Sequence, residues 1–150
     1  MKKVNLFALL FLCLFSFTMV SCDKDKDDEI DPSITNMLTD GEWVGAAMRF
    51  NNVLLTRDQL YVLTEGMYDI STWTLEFNKN GTGTTSLMGE TGSGKWELAD
   101  KGKTIIFSKG TEEESRAKIL KLTASELHLE FQDKELEEEM DGKAEIHFVH

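Results

Sequence analysis

From residue 73 to the C-terminus the chain alternates apolar and polar residues, and short turns rich in Gly, Asn and Asp interrupt the alternation. A period of two puts every second side chain on one face of an extended strand, so each run reads as a strand with one buried face. In Trp73-Thr74-Leu75-Glu76-Phe77 the apolar residues share a face. Asn78-Lys79-Asn80-Gly81 follows as a turn, with glycine where a positive φ is needed. Thr82 to Met88 is the return strand. Lys95-Trp96-Glu97-Leu98 alternates again, Asp100 to Lys103 turns the chain, and Thr104 to Phe107 is the next strand. Ala117 to Leu122 and Glu126 to Phe131 pair across a turn at Thr123-Ala124-Ser125. Asp141-Gly142 is a further hairpin signal before Ala144 to Val149. With Trp43 to Phe50 as the first, eight strands result.

Eight strands joined in chain order by short turns make a meander. This predicts an all-β fold, an eight-stranded up-and-down antiparallel β-barrel, with a β-sandwich as the alternative. Closure also removes the exposed sheet edges that an exported chain without disulfides must manage. One stretch breaks the rhythm. Thr56-Arg57-Asp58-Gln59 fits a capping box, Leu60 and Leu63 recur at helical spacing, and Gly66 can end the helix. A short helix is therefore expected after strand 1, either as a lid over one barrel end or as a plug that closes the core.

The N-terminus reads as an address. Met1-Lys2-Lys3 precedes 17 residues, 4–20, in which only Asn5, Ser16 and Thr18 are polar. That is a secretory signal peptide, too short for a typical span of ~20 apolar residues. Met19-Val20-Ser21-Cys22 resembles the bacterial lipobox, with Met19 where leucine is commonest. The resemblance implies cleavage before Cys22 and acylation of that cysteine. More than one acyl chain is needed for stable anchoring, and a triacylated cysteine would supply it. Asp23 to Asp31 then holds six acids and two lysines, followed by the single proline, Pro32. Such a run has nothing to bury and reads as a solvated tether. Its position resembles the surface-export signal of Bacteroidota lipoproteins. The expected organisation is a signal peptide over 1–21, a lipidated cysteine and acidic tether over 22–33, and a folded domain over 34–150. The expected location is the outer membrane, facing either the cell surface or the periplasm.

Processing changes what the composition allows. Loss of Lys2 and Lys3 leaves 14 basic residues against 27 acids, a formal charge of −13. A chain so acidic lacks the basic face that nucleic acids require. Cys13 leaves with the signal and Cys22 becomes the anchor, so thiol catalysis, thiolate metal sites and disulfides are excluded for the folded part.

Gly41-Glu42-Trp43 opens strand 1, and WTLEFNKNGTG (73–83), GSGKWELADKGKTIIF (92–107) and AKILKLTASELHLEF (117–131) follow in order. This succession resembles the small lipocalin-like domains of Bacteroidota lipoproteins over about 110 of the 150 residues. The resemblance implies a calycin barrel with the Gly41–Trp43 signature at its closed end. The helix after strand 1 and the acidic final hairpin are not part of that pattern.

The face expected inside carries Met48, Phe50, Trp73, Leu75, Phe77, Trp96, Leu98, Leu127, Leu129, Phe131, Ile146 and Phe148. These residues line either a ligand pocket or a filled core. An apolar cavity of ~300 Å³ or more with an open mouth would favour ligand capture, and a filled interior would leave surface recognition. His128 and His147 fall on the opposite, outer face, where a suitable register would bring them together beside a Glu. Exposed histidines are more often solvated than metal-bound, and no metal or other cofactor is expected. Glu112 to Glu114 and Glu135 to Asp141 lack calcium-loop spacing and read as solvated surface. GTGTTS and GETGSG are glycine-rich, but they are expected between strands, with no helix start to cradle a phosphate. No nucleophile elbow or phosphate loop is present, so no catalytic residue is expected. The sequence thus predicts a non-enzymatic, membrane-anchored binding lipoprotein that holds a small hydrophobic ligand in its barrel. The alternative is a protein-interaction module, an envelope enzyme inhibitor or an accessory subunit, with a filled barrel.

Overall fold

A computed structural model describes residues 29–87, 89–132, 134–139 and 142–150. The signal peptide, Cys22 and the tether up to residue 28 lie outside the described residues.

Helix α1 (Pro32–Leu38) comes first. Asp31 caps it by accepting from the Ser33 N–H at 2.9 Å, and proline at the first helical position loses no hydrogen bond. Strand β1 (Glu42–Phe50) is followed by the short strand β2 (Val53–Thr56), helix α2 (Arg57–Leu63) and a 3₁₀ turn at Ile70–Thr72. Strands β3 (Thr74–Phe77), β4 (Thr82–Leu87), β5 (Glu90–Ala99), β6 (Thr104–Phe107), β7 (Ser115–Leu122) and β8 (Glu126–Phe131) succeed one another. Helix α3 (Lys134–Glu139) leads into β9 (Ala144–Val149).

Each strand from β3 to β9 pairs antiparallel with its successor, and β1 pairs with both β3 and β9. Strands β1 and β3–β9 therefore form the expected closed eight-stranded up-and-down barrel, and the β1–β9 pairing rules out two separate sheets. Strand β2 stands outside the ring. It pairs only with β1, opposite Ala47 to Phe50, while β3 pairs with the other end of β1 from Glu42 to Val44. The segment between β2 and β3 fills the interval. Its 3₁₀ turn presses on β1 so closely that a Cβ on Gly45 would sit 2.2 Å from the Ile70 carbonyl oxygen.

Helix α2 follows strand 1 as expected, with β2 between them. Thr56 Oγ1 accepts from the Gln59 N–H at 3.4 Å, and Gln59 Oε1 accepts from the Thr56 N–H at 2.9 Å. Leu60 is fully buried in the core, but Leu63 is 61% exposed. The acidic stretch at residues 134–139 is a helix and not the arm of a tight hairpin. The return strand expected over Thr82 to Met88 is β4, so GTGTTS belongs mostly to it, whereas GETGSG differs from expectation: β5 begins at Glu90, and this segment is barrel wall and not a connection.

The closed end gathers α1, the start of β1, the 3₁₀ turn at Asp100–Gly102 and the C-terminus. Trp43 is fully buried there, and its Nε1 donates to the Leu38 carbonyl at 3.0 Å. Its ring lies 3.8 Å from that of His150, centroid to centroid. Gly41 has φ +147°, and a Cβ there would meet His150 at 3.3 Å. The other end carries the β1–β2 turn, the β6–β7 loop and the approach to β9. Polar residues such as Glu76, Lys95, Glu97 and Lys118 alternate with the inward ones. This is the inverse of a barrel that faces lipid. Among the described residues, no helix is long and apolar enough to cross a membrane.

Candidate functional site

The inward face packs one cluster. Met48, Trp73, Leu75, Phe77, Trp96, Leu127, Leu129, Ile146 and Phe148 are buried in it, and Leu98 and Phe131 are partly buried against it. The side chain of Phe50 lies outside the described residues.

The cluster does not fill the barrel. A cavity of about 230 Å³ opens against the wall formed by β3 to β8. Of the residues singled out from sequence, Leu75, Phe77, Trp96 and Phe131 line it, whereas Met48, Trp73, Leu98, Leu129 and Phe148 do not. The volume falls below the ~300 Å³ that marks a drug-sized pocket. The interior is thus neither packed solid nor wide. Helix α2 does not line the cavity, so Leu60 and Ile70 act as a plug in the core and not as a lid over this space.

The cavity wall holds residues that the strand pattern did not mark. Phe107 is one: its ring lies 6.1 Å from Phe77 and 6.3 Å from Phe131, nearly parallel to the latter at 18°. Phe77 meets Trp96 edge-to-face at 5.1 Å. These are the separations at which aromatic pairs attract. Trp96 is held by its own Nε1, which donates to the carbonyls of Thr82 at 3.0 Å and Asn78 at 3.2 Å. Thr85, Ser108, Ser115 and Glu113 add polar groups toward the β6–β7 loop. Gly92 and Gly94 occupy the inward positions of β5 and leave space where side chains would stand. Residues 92–95 are exposed, so the cavity communicates with solvent. Among the described residues, no buried side-chain nitrogen or oxygen lacks a hydrogen-bond partner.

On the outer face His128 and His147 are direct cross-strand partners. Their rings stack with centroids 3.5 Å apart and planes parallel. His147 Nε2 lies 2.7 Å from Glu145 Oε1, and Arg49 Nε donates to Glu145 Oε2 at 2.7 Å. Burial lowers the His128 pKa, and the His147 and Lys121 charges push the same way. Burial acts to raise the Glu145 pKa, but hydrogen bonds from Arg49 and His147 outweigh it and hold the carboxyl below its ordinary value. Among the described residues, no three His, Cys, Asp or Glu side chains are arranged to hold a metal ion. Glu114 accepts from the Gly110 N–H and from Arg116, so part of the first acidic cluster braces its own loop.

No protein-family model matches the chain, and no curated protein matches it. Solved structures that resemble it include two from Bacteroides. A DUF4847 family protein from Bacteroides vulgatus superposes with a TM-score of 0.53 at 17% identity, over 78% of this chain and 96% of that one. A lipocalin-like protein from Bacteroides uniformis gives a TM-score of 0.45 at 16% identity, over 75% and 97%. At 17% identity the first likeness shows the fold alone. The closed eight-stranded meander, with Trp43 buried at its base, is itself a lipocalin-like barrel.

Proposed function

We propose that this protein is a membrane-anchored, non-enzymatic binding lipoprotein that holds a small hydrophobic ligand in its barrel. The observation that carries this reading is the solvent-connected cavity of about 230 Å³ beneath Phe77, Phe107 and Phe131. Concave, mostly apolar spaces with a few polar groups are where small molecules bind. The anchor is Cys22, in the outer membrane and facing the cell surface or the periplasm. The described chain starts at Glu29 beside the closed end, seven residues after Cys22. Seven residues span at most ~25 Å, so the anchor would keep the closed end toward lipid and the β6–β7 loop away from it.

Native mass spectrometry of the chain from Asp23 onward, purified from its own host, tests the ligand. A co-purified small molecule is expected, and consistently ligand-free protein would count against capture. Cys22→Ala should abolish labelling by a fatty-acid probe, and persistent labelling would refute the anchor.

One observation favours the protein-interaction alternative. Tyr61, Val62, Leu63 and Met67, all between β2 and β3, are 50–77% exposed. An apolar cluster displayed this way suits a protein partner.

A further inference from the structure

The cavity has a size and a wall that narrow the chemistry of its occupant. We infer that it takes one- or two-ring aromatic molecules about the size of indole and rejects long-chain lipids. This rests on the ligand-binding reading above and adds the class of ligand.

Size comes first. An engineered apolar cavity of ~150 Å³ holds benzene, and drug-sized ligands need ~300 Å³ or more. At about 230 Å³ the space suits a fused pair of rings and is short for a long acyl chain.

The wall comes second. Phe77, Trp96, Phe107 and Phe131 surround one side with ring faces and edges in mutual contact. A planar guest continues that arrangement at favourable centroid distances. A flexible chain gains only area from it. Among the described residues no buried polar side chain lacks a partner, so none has to be satisfied by the guest. The hydroxyls of Thr85, Ser108 and Ser115 can still receive a single ring N–H.

The third observation is the pair Gly92 and Gly94. Glycine weakens a strand interior, so its presence needs a reason. Gly45 and Gly83 have one: a Cβ on either would lie within 2.5 Å of a carbonyl oxygen. Gly41, Gly66, Gly81, Gly89, Gly102, Gly110 and Gly142 have another, a positive φ. Gly92 and Gly94 have neither. A Cβ on Gly92 would stand 3.5 Å from Thr85 Oγ1 and one on Gly94 3.1 Å from Ser108 Oγ, both movable side-chain atoms. What these glycines provide is the empty volume itself, which any larger side chain would occupy.

The ring of strands lies wholly within 42–149, so the chain from Asp23 onward contains the whole barrel and serves for the test. Indole and palmitate are titrated separately by calorimetry, and indole also by following the Trp96 Nε1–H resonance. Saturable indole binding that shifts this resonance, with no palmitate binding, is expected. Gly94→Leu should weaken indole binding by about tenfold or more while the melting transition persists. If Gly94→Leu fails to fold, Ser115→Phe fills the same space from β7. Palmitate binding as tight as indole, or without it, overturns the inference while ligand capture stands. Binding of neither overturns both. Indole binding that leaves Trp96 unmoved, or survives the filled variants, places the site elsewhere and overturns it too.

Discussion

The indole N–H of Trp43 donates to the main-chain carbonyl of Leu38 at 3.0 Å, and both residues are fully buried. That bond joins α1 to the closed end of the barrel. Trp43→Phe removes the donor and leaves the Leu38 carbonyl without this partner. A loss of roughly 1–3 kcal/mol is expected from the unpaired acceptor. Urea unfolding should show a lower midpoint with an unchanged slope. An unaltered midpoint would show that α1 is held by other contacts.

Gly45 stands where β1 and the 3₁₀ turn at Ile70–Thr72 approach most closely. Gly45→Ala puts a Cβ 2.2 Å from the Ile70 oxygen, so backbone must move. Overpacking of this kind costs about 1–3 kcal/mol. Gly110 makes the control: nothing lies within 4 Å of its Cβ position, and its φ of +77° is one that asparagine tolerates. Gly110→Asn should stay within about 0.5 kcal/mol of the wild type. Chemical denaturation of both variants checks the contrast, and equal losses would contradict it.

The stacked His128–His147 pair makes stability depend on pH. The groups facing it are Glu126 on its own strand, Lys121 on β7, Glu145 on β9 and Arg49 on β1. His128 has a folded-state pKa below its ordinary 6.5, so just below that pH the unfolded chain binds more protons. The contribution of neutral His128 is thus present above pH 6.5 and is lost as pH falls through the folded pKa. Melting temperatures at pH 7.5 and 5.5 should fall more for the wild type than for His128→Gln. Parallel falls would assign the acid sensitivity to groups other than His128, and Glu145, held below its ordinary carboxylate range, stays ionised throughout this window.

The strands and the capped helix were legible because they are local. Alternation marks β3, β8 and β9 and the Trp96–Leu98 part of β5, the turns on either side mark β6, and Thr56 with Gln59 marks the start of α2 within four residues. Helix α1 was hidden because its cap, Asp31, and its first residue, Pro32, end an acidic run that has the composition of a tether. Residues 134–139 were masked by the Asp141-Gly142 turn signal, although Lys-Glu-Leu-Glu-Glu-Glu is a helix-forming composition. The cavity was the least legible feature. Gly92 and Gly94 look like loop residues in the sequence, and only the pairing of β5 with β4 turns them toward the interior. Phe107 ends a run of Ile105, Ile106 and Phe107 that does not alternate, so its inward direction follows from its partner Trp96.

The central claim is that the barrel interior holds an accessible space between Gly94 and the Phe107–Phe131 pair. An engineered cavity of ~150 Å³ takes up xenon, and the Phe107–Phe131 wall offers it the same kind of contact. Diffraction from crystals of the chain pressurised with xenon measures that space directly. A xenon peak in contact with Phe107, Phe131 and Gly94 is the predicted result. An interior filled by side chains, with no xenon at that position, would contradict it.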